Sequence, residues 1–467
     1  MPLPPQLPDA TVLLTGALGF LGKVVLERLL ASSKPARILL LLRPKHGYSA
    51  QERLAHAKTR PCFAHLPPSA WDIVVALEGD TESPGLGLSA AAAAAAAATT
   101  HVIHMAASVD FDLPLADAAR ANVVGALHVL EFARGCPRLK RLVHTSTAYV
   151  AWPDAADGLL GEPPPLDAAL CERLAKCDDA APSLPAEGLA PYPNTYAFTK
   201  RAAEQLLVAR RGNVALTICR PSIISASLRH PLPGWIDSKA ALAGVAFMMG
   251  GGIMRTIAAR PGSPLDIVPV DFVAHSLLRA AAGAGVALPD GGGGGGGGRT
   301  SLFSAAAPPA LLLPAVAGRE QSLSIEELLE AGYSFKRYPQ GPYSRGRRLE
   351  RPQLYASDDP RLAPAIRRDL AALRWGRWWY LLLGLFSARA ARAAAALAKG
   401  IVAMRRIHRA FPHFSHTPYR FDAAPNAVHA WDAGFDVRAY ATHGVMHGVY
   451  HYLLRGPVPP PEYPYVS

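Results

Sequence analysis

From Thr11 to Leu30 the chain reads TVLLTGALGFLGKVVLERLL. A short β-branched and leucine run leads into a glycine turn, and apolar residues then recur at helical spacing. Similar apolar runs follow at RILLLLRPKHG, DIVVALEGD, HVIHMAAS, RLVHTSTAYV and VALTICRPSII, separated by helical stretches such as ANVVGALHVLEFARG. Strands alternating with helices at this spacing predict an α/β fold, a Rossmann-type doubly wound parallel sheet. The chain has 467 residues, 50% of them hydrophobic and only 18% charged, so there is ample material for a core and no case for a disordered chain.

The alternation weakens beyond about Ser301. The octaglycine run Gly291–Gly298 falls just before that point and predicts a boundary: a sheet domain over 1–290, a glycine-rich linker over 291–300, and a smaller, mainly helical C-terminal domain over 301–467. The nine-alanine run Ala90–Ala98 predicts a featureless helix, and the Pro-, Ala- and acid-rich stretch Asp154–Leu189 predicts a loop or lid. Five cysteines (Cys62, Cys136, Cys171, Cys177, Cys219) form no CxxC pair, which argues against a disulfide framework or a cysteine zinc site and for a reduced, intracellular protein. No run reaches the ~18 apolar residues of a membrane span, and MPLPPQLPDA lacks the features of a secretory signal.

The net charge is +12, but Ala331–Arg420 alone carries 18 Lys+Arg against 4 Asp+Glu, a local +14. Basicity therefore belongs to one region. Charge alone would allow nucleic acid as a partner, yet no recognition module accompanies it, so none is expected. Within that region Trp375–Phe386, WGRWWYLLLGLF, is the most apolar patch, flanked by arginines. Two readings stay open: an interfacial helix on anionic lipid, or a buried helix with a basic outer face. The same arginines would also suit the phosphates of coenzyme A. His443, His447 and His451 share one helical stripe, but three histidines so spaced make an awkward metal site with no acid nearby, and no metal is expected.

Gly16, Gly19 and Gly22 form GxxGxxG at the strand-to-helix junction, where glycine lets a backbone turn tightly and approach a pyrophosphate set on the helix N-terminus. The alternative is a tight turn serving only helix–sheet packing. At the end of the second predicted strand stand Arg43 and Lys45, with no acid between Leu40 and Ala50; this favours a 2′-phosphate, and hence NADPH, over NAD. Asp80, in LEGD, is a candidate for the adenine edge or an ordinary turn residue. Tyr196 and Lys200 in PNTYAFTK are four apart on one helix face, a spacing expected to let the ammonium lower the phenol's pKa. The strand end His144-Thr145-Ser146-Thr147 offers hydroxyls for a substrate carbonyl.

Together these residues resemble the extended short-chain dehydrogenase/reductases, and within them the fatty acyl-CoA reductases of the male-sterility-like group. The resemblance is carried by TGALGFLGKVVLERLL, LLLRPKHG, EGDTES, IHMAASVDFDLPL with Asn122, VHTSTAYV, PYPNTYAFTK, RPSIISASLRHPLPGWIDS and LDIVPVDFVAHSLL, over roughly residues 10–280. It returns in FPHFSHTPYRFD and GFDVRAYATHGVMHGVYHYLLRG, and is poor over about Ser301–Phe411. The resemblance implies NADPH held by Thr15, Gly16, Gly19, Phe20, Leu21, Gly22, Arg43, Lys45 and Asp80, with Ala106 and Ala107 lining the cleft and Pro221 beside the nicotinamide. It implies Tyr196 as proton donor, Lys200 as its partner, and Thr147, with Ser146 as second choice, as the hydroxyl member. The implied reaction takes a long-chain acyl-CoA to the aldehyde and then to a primary alcohol, releasing CoA, at the cytosolic face of a membrane such as the endoplasmic reticulum. The rival readings are a reductase of another carbonyl, a steroid or nucleotide sugar, and a non-catalytic lipid-surface binder.

Overall fold

The computed structural model describes residues 3–153, 160–161, 165–176, 189, 192–288, 308–334, 351–385, 387–422 and 428–454. The octaglycine run, most of the Asp154–Leu189 stretch, Cys177 and Phe386 lie outside these residues. The chain forms two compact units. One comprises Met1–Val150, Pro163–Pro221 and Val273–Ala315; the other comprises Ala151–Glu162, Ser222–Phe272 and Val316–Ser467.

The first unit is built on a sheet whose first five strands are β1 (Thr11–Thr15), β2 (Arg37–Leu42), β3 (Val74–Glu78), β4 (His101–His104) and β5 (Arg141–Thr145). Their spatial order is β3-β2-β1-β4-β5, followed by the Leu216–Pro221, Leu311–Ala315 and Val286–Ala287 strands. All neighbours are parallel except the last pair. The order reverses between β1 and β4, the crevice where doubly wound sheets place ligands. The apolar run RILLLL is continuous because β2 is covered on both faces, and five of its six residues are buried. The Leu311–Ala315 strand comes from beyond the glycine run, in the stretch expected to be mainly helical, and adds to this sheet parallel to Leu216–Pro221.

Two strands are shorter than the sequence runs suggest. RLVHTSTAYV leaves the sheet after Thr145 and closes with a 3-10 turn over Ala148–Val150. VALTICRPSII breaks at Ser222; its end, Ile223–Ser225, pairs with Ile267–Pro269 in the second unit. The alanine run forms helix Ala90–Ala96, capped by Ser89, whose side chain accepts from the Ala92 amide.

In the second unit the PGWIDS segment is held by backbone contact. Gly234 has φ +69°, and a Cβ placed on Gly448 would lie 1.9 Å from the Gly234 carbonyl oxygen. The Tyr440 hydroxyl donates to the Ala226 carbonyl at 2.5 Å. Buried Asp271 accepts from the amides of Leu228, Arg229 and His230, and buried Asp266 accepts from Ser222 and from the Ala317 and Gly318 amides. Two long helices, Leu362–Gly384 and Ala388–His416, pair as a hairpin. Near its base Asp369 accepts from the Arg255 amide and Ser415 donates to the Ala258 carbonyl.

Candidate active site

The glycine turn leaves β1 at Thr15 and enters helix α1 (Phe20–Arg28). Gly16 has φ +70°, and a Cβ there would sit 2.7 Å from the Ala106 amide nitrogen. A Cβ on Gly22 would fall 2.2 Å from the Gly16 carbonyl oxygen, so this glycine permits the helix to close on the turn. Gly19 is different: its Cβ would meet only the Gly16 oxygen at 3.2 Å, and it is exposed. It is the N-cap of α1, which starts with no side-chain cap and no acid in its first turn. Phe20 and Leu21, the first helical residues, are half-buried beside it. An uncapped positive helix end with a side-chain-free approach is chemically matched to a pyrophosphate.

Thr15, fully buried, ties this turn to the end of β4. Its hydroxyl accepts from the Met105 and Ala106 amides, each at 3.2 Å, and lies 2.7 Å from His104 Nδ1. Ala106 is half-buried and Ala107 exposed at the mouth of the same crevice. Arg43, at the end of β2, pairs with Asp80 at 3.5 Å and Glu82 at 3.6 Å. The acids missing after β2 in sequence are thus supplied from the loop after β3. Exposed ion pairs of this kind are worth about 0–1 kcal/mol, so Arg43 is easily released toward a phosphate. Lys45 is exposed and its backbone closes a tight turn with Tyr48. Pro221 is buried at the end of its strand opposite Ala315.

Tyr196 and Lys200 lie on the helix Thr195–Arg210, capped by Asn194, whose side chain accepts from the Ala197 amide at 2.9 Å. Tyr196 is hydrogen-bonded to the Thr147 hydroxyl, which also accepts from the Tyr149 amide at 3.3 Å. Ser146 Oγ is buried and has no hydrogen-bond partner among the described residues. Lys200 is buried, and its Nζ donates to the Thr145 carbonyl at 2.8 Å. The structure therefore brings Thr147, Tyr196 and Lys200 together at the ends of β5 and this helix.

The electrostatics differ from the expectation that Lys200 lowers the phenol. Burial pushes Tyr196 up to about 12, opposed only by the bond to Thr147. The reason is geometric: Lys200 directs its ammonium to the strand carbonyl, and the cost of desolvating a phenolate dominates. Burial brings Lys200 down to about 8, while the nearby Glu204 carboxylate acts in the opposite direction. Glu204 is itself clamped by Arg220, at 2.9 and 2.6 Å, with Arg201 at 3.7 Å.

Four further residues, to which the sequence assigned no role, support the site. Asn122, 1% exposed, accepts from the Ser108 amide at 2.8 Å and donates to Thr199 at 3.0 Å, fixing the loop after β4 to the Tyr196 helix. Phe111 in that loop stands 5.7 Å from the Tyr196 ring. His104 and His144 are register partners in β4 and β5, and both feel the Lys200 charge. Histidine within an apolar strand was the signal available for the last two, in HVIH and RLVH.

Comparison with known proteins agrees with this architecture. Fatty acyl-CoA reductase 1 of Homo sapiens is 35% identical over 294 residues, covering 62% of this chain and 57% of that protein. Fatty acyl-CoA reductase wat of Drosophila melanogaster is 32% identical over 286 residues, covering 58% and 54%. The chain thus matches little more than half the length of these curated relatives. The crystal structure of the terminal R domain from the myxalamid PKS-NRPS biosynthetic pathway superposes with a TM-score of 0.59 at 20% identity, covering 97% of this chain and 95% of that one, a likeness of fold. A glycine turn on a doubly wound sheet is a nicotinamide-dinucleotide-binding arrangement, and the family described as Male sterility protein matches residues 14–277. On that match, and with the sheet order and crevice described above, the chain belongs to the male sterility protein family.

Proposed function

We propose that this protein reduces long-chain fatty acyl-CoA with NADPH, first to the aldehyde with release of CoA and then to the primary alcohol. The observation that carries the reading is the Thr147–Tyr196–Lys200 cluster beside the crevice, in a chain similar to fatty acyl-CoA reductases. NADPH, when bound, supplies the hydride; Gly16, Gly19 and Gly22 admit its pyrophosphate to the α1 N-terminus, and Arg43 meets its 2′-phosphate.

Thr147 and Tyr196 hold the thioester carbonyl oxygen. A phenol kept near 12 stays protonated through neutral pH, so Tyr196 is suited to giving a proton rather than taking one. It delivers that proton to the carbonyl oxygen as the carbon gains hydride, producing a hemithioacetal. The hemithioacetal then loses its C–S bond, the thiol leaving with the hydroxyl proton and the aldehyde remaining. Lys200, charged below about pH 8, restores the proton to Tyr196 and regains one from solvent, and the aldehyde would take its hydride from a second NADPH.

The hairpin of the second unit favours a lipid surface as partner. Eight of the thirteen exposed large hydrophobic residues among those described fall between Trp375 and Leu385. Trp375 is 79% exposed and Leu385 76%. From Leu370 to Phe421 the chain has nine Arg+Lys and no acid. Trp375–Gly384 extends about 15 Å as a helix, roughly half of a ~30 Å hydrocarbon core. We read it as a tip seated in one leaflet, its arginines at anionic headgroups. No helix among the described residues is long and apolar enough to cross a membrane.

The test is NADPH consumption by the detergent-solubilised protein with a panel of acyl-CoAs, products identified by mass. Fatty aldehyde or alcohol formed in proportion to NADPH consumed is expected. NADPH binding with no turnover of any acyl-CoA overturns the reading in favour of another carbonyl substrate or a non-catalytic lipid binder.

A further inference from the structure

We infer that His104, His144 and Lys200 enclose a buried water site in which two uncharged imidazoles keep the Lys200 ammonium solvated, the histidines acting as positioning residues for Lys200. The inference rests on the proposed function only in giving Lys200 a role toward the nicotinamide cofactor.

Thr15 sets the tautomer of the first imidazole. Its hydroxyl oxygen already accepts from two backbone amides, so its hydrogen goes to His104 Nδ1 at 2.7 Å. Nδ1 is then a lone-pair acceptor, and the neutral ring carries its proton on Nε2. That Nε2–H is buried and has no acceptor among the described residues. His144, fully buried, has no partner at either ring nitrogen among the described residues. The two rings stand 5.2 Å apart between centroids. Each buried polar atom left unmatched costs about 1–3 kcal/mol, so the His104 donor and the His144 lone pair call for a shared partner.

Lys200 completes the set. One of its three N–H groups goes to Thr145, the residue after His144, which leaves two donors to be solvated. A water there accepts from Lys200 and from His104 Nε2–H and donates to the His144 lone pair, the three bonds usual for a buried water. Neither ring competes for the charge. Burial and the Lys200 ammonium hold His104 at about 3 and His144 well below its ordinary value. The other groups facing Lys200 are Tyr196 and Glu204 on its own helix, the latter engaged by Arg220 and Arg201. Removing the His144 acceptor strands the ammonium and makes it lose its proton at lower pH.

The experiment measures NADPH binding by fluorescence from pH 6 to 9.5 for the wild type, His144→Phe, His144→Asn and a Lys200→Ala baseline, with thermal unfolding alongside. Wild-type binding is expected to weaken as pH rises past about 8, where Lys200 discharges. In His144→Phe the weakening should begin about one pH unit lower, giving roughly fivefold weaker binding at pH 8 and less than twofold at pH 6. The asparagine amide should restore most of this, and the midpoint of unfolding should not fall. A pH dependence of His144→Phe superimposable on the wild type overturns the inference. Should that variant not fold, His104→Leu takes its place: an earlier weakening supports the inference, and a curve superimposable on the wild type overturns it. A wild type that binds NADPH with this pH dependence but turns over no acyl-CoA overturns the proposed function and leaves the inference standing.

Discussion

The crevice end of the sheet and the tip of the helical hairpin break the ordinary rule of burial in opposite directions. Around Lys200 the protein buries what normally seeks water: an ammonium 2% exposed, two histidines at 1% and 0%, and a glutamate at 1%. Around Trp378 it exposes what normally avoids water, three tryptophans each more than 60% accessible. Both arrangements are costly to a chain selected for stability alone. The buried cluster lowers its cost with hydrogen bonds to the Thr145 carbonyl and from Thr15 and Arg220. Among the described residues the apolar tip of the hairpin stays exposed, and the lipid surface proposed above is what would cover it.

The sharpest way to break this comparison is at the phenol. Tyr196→Phe removes the proposed proton donor while keeping the ring against Phe111, and should lower kcat about 10²–10⁴-fold with the fold intact. Full activity in this variant would reduce the cluster to packing. At the other pole, replacing Trp375, Trp378 and Trp379 together by serine should abolish most flotation with phosphatidylserine vesicles, an effect of at least tenfold in partitioning. Because these side chains are exposed, the unfolding midpoint should stay within about 2 °C. A falling midpoint with unchanged flotation would show that the tip is covered by protein instead.

Smaller effects sharpen the picture within the turn. Gly22→Ala forces a methyl 2.2 Å from a backbone oxygen and should destabilise the protein by about 2–3 kcal/mol, read by denaturant unfolding. Gly19→Ala meets only a 3.2 Å contact and should weaken NADPH binding with little change in stability. If both variants lose stability equally, the turn serves packing alone. Arg43→Ala should give the mildest change, about a tenfold loss of preference for NADPH over NADH in kcat/KM, because its partners Asp80 and Glu82 are held only by exposed pairs.

Much of this was legible in the order of residues. Strand–turn–helix periodicity is a local property, so the parallel sheet and the position of GxxGxxG followed from spacing alone. Tyr196 and Lys200 could be paired because four residues make one helical turn. Local information ended where strand ends had to be aligned. Thr147 and Ser146 are neighbours in sequence, and only the exit of the chain from β5 turns the Thr147 hydroxyl to Tyr196. The acids opposite Arg43 sit some forty residues away, which no reading of the β2 end reveals. Nor could composition decide the Trp-rich stretch, since a buried and an exposed apolar helix are written with the same residues.

The sequence by itself determined the α/β layering, the glycine turn, the Tyr–Lys helix face and the acid-free basic stretch from Leu370 to Phe421, because each depends on residues adjacent in the chain or one helical turn apart. Only the tertiary structure decided which hydroxyl meets the phenol, that Lys200 points to a strand carbonyl and so does not lower Tyr196, and that two strand histidines lie side by side in neighbouring strands. Those outcomes depend on burial and on the pairing of distant strands, and the energy of a charge or a lone pair is set by its surroundings in space, which only the folded chain assembles.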